Sequence, residues 1–206
     1  MKLNPLSLCM AAALMISAAH AQDKGYVFLS AGACDGTRAE LVGLQYRTPG
    51  PSIFNYIRYL SDYSDELYSY EDETGRFQVS VKYLEAGEWE IYNHMLRIPG
   101  SSDFLISKTN YSFRFTVLPG KALYLGRYCA ASQDHAFVNF LGKPVRNPKI
   151  TYILVSKNLQ RDREIAATRE PEIAKMEVVD GAPAQPSRIS PIWRATHIEP
   201  RVVEGK

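Results

Sequence analysis

The chain holds few of the residues that announce chemistry. Its 206 residues include three cysteines, four histidines and two tryptophans. Three cysteines are too few for a disulfide-dense miniprotein or a four-cysteine zinc site. The histidines are scattered, with no H-x-H or H-E-x-x-H pair to bring two imidazoles onto one metal ion. There is no glycine-rich phosphate loop and no G-x-S-x-G turn. An excess of one charge sign is also missing: 24 Lys+Arg stand against 22 Asp+Glu, a net charge of +2. A dedicated nucleic-acid binder carries a strong basic excess, so that class is set aside. At 22% charged and 46% hydrophobic, the chain is too apolar for wholesale disorder and too polar for a membrane bundle. No metal and no cofactor are expected.

The first long apolar run is at the start of the chain. Lys2 supplies a positive charge, Leu6 to Ala18 is almost wholly apolar, and Ala19-His20-Ala21 fits the small-x-small rule for signal peptidase. The run is shorter than the ~20 residues a membrane-spanning helix needs, and no later segment reaches that length. Residues 1–21 therefore read as a secretory signal peptide cleaved before Gln22. That leaves a periplasmic or secreted protein with no integral membrane segment. An uncleaved anchor is the competing reading. A lipid anchor fits less well, because Leu8 precedes Cys9 where a lipobox requires a small residue.

Export leaves two cysteines, Cys34 and Cys129. In an oxidising compartment such a pair is most simply a disulfide. Closing so long a loop contributes about 4–5 kcal/mol on the chain-entropy account. The competing reading takes Gly32-Ala33-Cys34-Asp35-Gly36 as a nucleophile elbow, with His94, His135 or His197 as the base. An elbow requires a helix directly after it. Here the chain leads instead into the strand-like Leu41-Val42-Gly43-Leu44.

Period-two patterning dominates the rest. Tyr26 to Leu29 and Leu41 to Arg47 read as strands, and Ile53 to Leu60 alternates in part. Phe77, Val79, Val81 and Tyr83 alternate with Gln78, Ser80 and Lys82, the pattern of a strand with one buried face. Ala86-Gly87 followed by Trp89, Ile91 and Tyr92 predicts that this strand and the next form a hairpin. Phe113, Phe115 and Val117 repeat the alternation before the turn dipeptide Pro119-Gly120. Ala122 to Cys129 and Ile150 to Val155 complete the set, the last apolar on both sides and so expected to be central. One helix is predicted, from Asn158 as N-cap to Pro171, with a sparse stripe of Leu159, Ile165 and Ala166 that places it on the surface over a sheet edge. After Asp180, Gly181, Pro183, Pro186, Pro191 and Pro200 mark a flexible tail, in which Ser190-Pro191-Ile192-Trp193 could dock on the domain or a partner. The expected organisation is a signal peptide at 1–21, a β domain at 22–179 and a Pro-rich tail at 180–206. The expected fold is mainly β: an antiparallel β-sandwich of seven to nine strands, Ig-like or prealbumin-like, with one C-terminal surface helix. A closed barrel is the alternative.

Leu84-Glu85-Ala86-Gly87-Glu88-Trp89-Glu90-Ile91-Tyr92-Asn93 is followed some way on by Phe115-Thr116-Val117-Leu118-Pro119-Gly120-Lys121-Ala122-Leu123-Tyr124-Leu125-Gly126. This pair of motifs, from Tyr83 to Arg127, resembles bacterial exported proteins of unknown function that carry a prealbumin-like or carboxypeptidase-regulatory-like β-sandwich. The resemblance implies a fold and an envelope location, and it brings no catalytic residues. Many such proteins have a lipobox that this chain lacks, and its tail after Asp180 has no counterpart among them.

Candidate sites are sparse. On a regular strand Glu88, Glu90 and His94 would share a face, which reads either as a weak metal site or, more simply, as a solvated polar face. The stretch Asp62 to Glu73 holds three aspartates and three glutamates and reads as an exposed loop or edge strand. Its Tyr63, Tyr68 and Tyr70 are the candidate binding surface, because aromatic rings stack on sugars and tyrosine is enriched at protein interfaces. Tyrosine is equally a strand residue, so sheet packing accounts for it too. The expected function is a non-catalytic cell-envelope protein that binds an envelope protein partner. The alternatives are a carbohydrate-binding module with a glycan ligand or, less directly, an envelope hydrolase.

Overall fold

The computed structural model describes residues 23–34, 40–50, 58–59, 68–97, 104–107, 112–133, 136–138, 144–146, 150–189 and 193–196. They form fifteen strands: β1 (Lys24–Cys34), β2 (Glu40–Arg47), β3 (Arg58–Tyr59), β4 (Ser69–Asp72), β5 (Gly75–Glu85), β6 (Gly87–Arg97), β7 (Phe104–Ser107), β8 (Phe113–Val117), β9 (Ala122–Gln133), β10 (Ala136–Val138), β11 (Pro144–Arg146), β12 (Ile150–Ser156), β13 (Val178–Asp180), β14 (Ser187–Ile189) and β15 (Trp193–Thr196). A helix, α1 (Leu159–Arg169), is followed by a 3-10 helix, Pro171–Lys175. The mainly β expectation holds, with one α-helix among the described residues.

The strands form two large sheets and a separate ribbon of β10 with β11. The first sheet runs β14-β12-β9-β1-β5-β4, with β13 also on β9; the second runs β15-β7-β6-β2-β3, with β8 also on β6. Among the described residues neither closes into a barrel. The first sheet is mixed, because β9 lies parallel to both β1 and β13, which corrects the purely antiparallel expectation. Period-two alternation reports a buried face and carries no information about the direction of the neighbouring strand.

β5 and β6 do not form the expected hairpin. β5 pairs with β1 and β4, whereas β6 pairs with β2, β7 and β8. The chain turns through Ala86 and Gly87 and changes sheet, and the φ of +132° at Gly87 suits a residue without a Cβ. The apolar face of each strand therefore serves a different sheet.

Two buried clusters result. One takes Val27, Leu29, Leu125 and Ile153 from the first sheet and Leu44, Trp89, Ile91 and Phe115 from the second. The other lies on the opposite face of the first sheet, where Tyr26, Phe28, Phe77, Val79, Val81 and Tyr124 meet Ala166 of α1 and Ile173 of the 3-10 helix. β1 is buried on both faces for this reason: Val27, Leu29 and Ala31 face the second sheet, and Tyr26, Phe28 and Ser30 face the helix. The helix begins and ends as its sequence predicts, with Asn158 as N-cap and Pro171 at the start of the next turn. It covers the middle of the sheet instead of its edge. A sparse apolar stripe suffices there because a polar side chain, Asp162, shares it.

The region after Asp180 also departs from expectation. Ser187–Ile189 pairs with β12, and Trp193–Thr196 pairs with β7 of the other sheet. Residues 187–189 and 193–196 of the expected tail are therefore in strands, and 190–192 and 197–206 lie outside the described residues. Prolines are tolerated beside edge strands, which need a donor on one side only, so Pro186 can directly precede β14. Residues 1–22, with the expected signal, lie outside the described residues. So do Ile53 to Ile57, the start of the partly alternating stretch, whereas Arg58–Tyr59 forms β3.

Candidate functional site

Asp162 is 0% exposed and lies in the first turn of α1. Three hydroxyls from three strands converge on it. Ser30 Oγ of β1 donates to Oδ2 at 2.8 Å, Tyr124 Oη of β9 donates to Oδ2 at 2.7 Å, and Tyr70 Oη of β4 donates to Oδ1 at 2.8 Å. The Tyr124 hydroxyl also accepts the Asn158 backbone N–H at 2.9 Å, which ties the helix start to the same ring. Burial pushes the Asp162 carboxyl above its ordinary value, against the pull of the three hydroxyls and of nearby Arg127. Burial and the Asp162 charge together push the Tyr70 and Tyr124 phenols up.

Arg127 is not a direct partner of Asp162. Its Nη1 donates to Asp72 Oδ2 at 2.9 Å, its Nε donates to Ser156 Oγ at 3.1 Å, and its guanidinium lies 4.7 Å from the centre of the Phe77 ring. Around this core, Arg161 lies over Tyr70 at 5.5 Å and Arg169 over Tyr68 at 5.1 Å. The helix therefore holds β4 through the Arg161–Tyr70 contact and Asp162, and the residue just before β4 through Arg169. With no solvent access, the carboxylate cannot act on a substrate while the helix is docked. The arrangement anchors helix to sheet.

Tyr70 is therefore corrected as a binding-surface residue. It is 7% exposed, stacks on Phe77 with ring centres 5.4 Å apart, and spends its hydroxyl on Asp162. Tyr68 is half-buried under Arg169, and Tyr63 lies outside the described residues. Of the acidic stretch, read as an exposed loop or edge strand, Ser69–Asp72 forms an edge strand, and 62–67 lie outside the described residues.

Glu88, Glu90 and His94 are not brought together. Gln45 pairs with Asn93 but Tyr46 pairs with Ile91, so Tyr92 is an extra residue in β6, a β-bulge. Beyond the bulge the faces exchange. His94 turns inward, 0% exposed, with its ring centre 6.4 Å from that of Tyr128, and burial lowers its pKa to about 3. Glu90 remains on the other face. It accepts Arg47 Nε at 2.6 Å and Ser112 Oγ at 2.7 Å, and these contacts hold it below the usual carboxylate range against the opposing effect of burial. Arg47 in turn covers the Tyr92 ring at 4.6 Å. Glu88 is exposed and accepts from Thr116 Oγ1. Among the described residues no group of three His, Cys, Asp or Glu side chains is placed to hold a metal ion.

Cys34 and Cys129 are at disulfide distance and joined, with Cα atoms 5.4 Å apart and 95 positions apart in sequence. They link the neighbouring parallel strands β1 and β9. With its sulfur in a bridge, Cys34 is no nucleophile, and His135 and His197 lie outside the described residues. Sequence reasoning missed Asp162. The available signal was its spacing, three residues after Leu159 and four before Ala166, which puts a carboxylate in the middle of the apolar stripe.

No protein family, characterised protein or solved structure matches the chain.

Proposed function

We propose that the protein is an exported, non-catalytic component of the cell envelope, a β-sandwich that works as a protein-interaction module. The observation that carries this reading is the Cys34–Cys129 bridge between two central strands. Such a staple persists in oxidising compartments, which agrees with the apolar run before Gln22. The sandwich reading rests on the cluster shared by the two large sheets. The likeness of Tyr83 to Arg127 to exported prealbumin-like domains points the same way. The groups best suited to chemistry, Asp162, His94 and the cysteine sulfurs, are sealed or joined, which favours binding over catalysis. The glycan-binding alternative is weakened by the burial of Tyr26, Tyr46, Tyr70, Tyr124 and Tyr128, while Tyr83 is exposed.

The test is capture by immobilised mature protein from solubilised envelope, run beside binding to purified cell-wall glycan. Stoichiometric retention of one protein, unaffected by glycan removal, is the expected result. Retention by glycan alone would favour the carbohydrate reading.

A further inference from the structure

β12 and β13 lie end to end along the same flank of β9. Ser156, the last residue of β12, pairs with Arg127, and Val178, the first of β13, pairs with Ala122. Residues 157–177 therefore leave β9 beside Arg127 and return to it beside Ala122. Lys157 Nζ donates to Asp180 Oδ2 at 2.6 Å across the two ends, and a Cβ on Gly126 would lie 3.2 Å from both Ser156 O and Ala182 Cβ. The excursion is braced internally. Glu170 N donates to Ala166 O at 2.8 Å, and Arg163 Nη2 donates to Ala174 O at 3.2 Å and Met176 O at 3.3 Å, so α1 and the 3-10 helix hold each other. Its hold on the sheet is of another kind. Asp162, Ala166 and Ile173 are its buried residues, whereas Leu159, Ile165 and Met176 are half-buried. The other contacts are between side chains: Asp162 with Ser30, Tyr70 and Tyr124, Arg161 over Tyr70, Arg169 over Tyr68, and Tyr26 Oη donating to Glu172 Oε2 at 3.3 Å. Lifting the excursion breaks these contacts and leaves the ladders of β12 and β13 on β9 intact, which is the requirement for an opening smaller than global unfolding.

We infer that residues 157–177 form a proton-linked flap, which lifts from the first sheet as one unit about hinges at Lys157 and Glu177 and lifts more readily when Asp162 is ionised. The hub of the closed state is a carboxyl group in a dry interior, where burial penalises the charged form. The groups facing it are Ser30 from β1, Tyr70 from β4, and Tyr124 and Arg127 from β9, while β5 contributes the apolar Phe77, Val79 and Val81. Arg127 is shared with Asp72 of β4. The hydroxyls and Arg127 favour the carboxylate, but burial outweighs them and holds the carboxyl above its ordinary value. Once the flap lifts, Asp162 regains water and its ordinary acidity. Opening therefore releases a proton. The added hold on the closed state is full below the ordinary carboxyl value and is lost as pH rises through the raised one. Opening uncovers Tyr26, Phe28, Phe77 and Tyr124, an aromatic face that the closed protein hides. The inference does not rest on the interaction-module reading.

The test is hydrogen exchange of the disulfide-bonded protein in low urea across a pH series, under conditions where protection reports the opening equilibrium. The hydrogen-bonded amides of α1 and the 3-10 helix are expected to exchange together, with protection about tenfold or more below that of β1 and β9 and a weaker urea dependence. Ile91→Val, in the cluster between the sheets, should lower β1 and β9 protection about fivefold. It should leave the flap amides unchanged, because that contact survives flap opening. Corrected for intrinsic exchange, flap opening should rise with pH through the acid range in the native protein and in Glu172→Gln, and stay flat in Asp162→Asn. Equal protection of flap and sheet, with equal shifts in Ile91→Val, overturns the inference, as does separate opening of α1 and the 3-10 helix. A pH dependence that is absent from the native protein, lost in Glu172→Gln or kept in Asp162→Asn overturns the proton linkage. The Ile91→Val and Glu172→Gln arms leave Asp162 in place, so they decide the matter even where Asp162→Asn does not fold.

Discussion

The Tyr124 hydroxyl donates to Asp162 at 2.7 Å while accepting the Asn158 backbone N–H at 2.9 Å. One phenol thus fixes both the helix start and the carboxylate one turn later. Asp162→Ala removes the common acceptor of Ser30, Tyr70 and Tyr124 and should cost about 3 kcal/mol. Asp162→Asn keeps the shape and an acceptor oxygen and should cost less. Urea unfolding of the two variants, with hydrogen exchange of the α1 amides, measures the order.

The two sealed titratable groups should act in opposite directions with pH. Burial lowers the folded pKa of His94 to about 3 from an ordinary 6.5. The unfolded chain therefore binds the proton more readily in between, and this stability, full above pH 6.5, is lost as pH falls toward 3. His94→Leu should shift the acid-unfolding midpoint to lower pH. The Asp162 carboxyl is raised above 3.8. Its contribution is full below that value and declines as pH rises through the folded pKa, so Asp162→Asn should flatten stability in that range. Unfolding free energies measured across a pH series would separate the two.

The Cys34–Cys129 bridge closes a loop of 95 positions. Replacing both residues by serine should cost roughly 4 kcal/mol and lower Tm by about 10 °C for a domain of this size. Thiol counting on denatured, unreduced mature protein should find no free thiol. Two free thiols would remove the staple and reopen the chemistry of Cys34.

Truncation after Asp180 should destabilise the fold. Gly181 N donates to Tyr124 O at 2.9 Å, Ala182 is buried, and Ile189 packs against the cluster between the sheets. Losing these contacts with β14 and β15 should cost about 2 kcal/mol or more, read as a lowered Tm. An unchanged melt would restore the tail to a dispensable role.

The exported protein should begin at Gln22. N-terminal sequencing of the extracytoplasmic fraction checks this, and a start at Met1 there would contradict cleavage after Ala21.

The chain's local patterns were enough to locate β1, β2, β5, β6, β8, β9, β12 and the limits of α1, because alternation, turn dipeptides and helix-ending prolines act over a few residues. The sequence also paired Cys34 with Cys129, since only two cysteines follow the apolar run. Pairing partners and strand direction were decided by the tertiary structure: β5 and β6 are neighbours in sequence and members of different sheets, and β1 lies parallel to a strand far along the chain. The bulge at Tyr92 arises from the mismatch between β6 and β2, so the inward turn of His94 could not be read from β6 alone. Asp162 carries the same lesson. Its position on the helix stripe is local, but its role depends on Ser30, Tyr70 and Tyr124, three hydroxyls that become neighbours only when β1, β4 and β9 share a sheet beneath the helix.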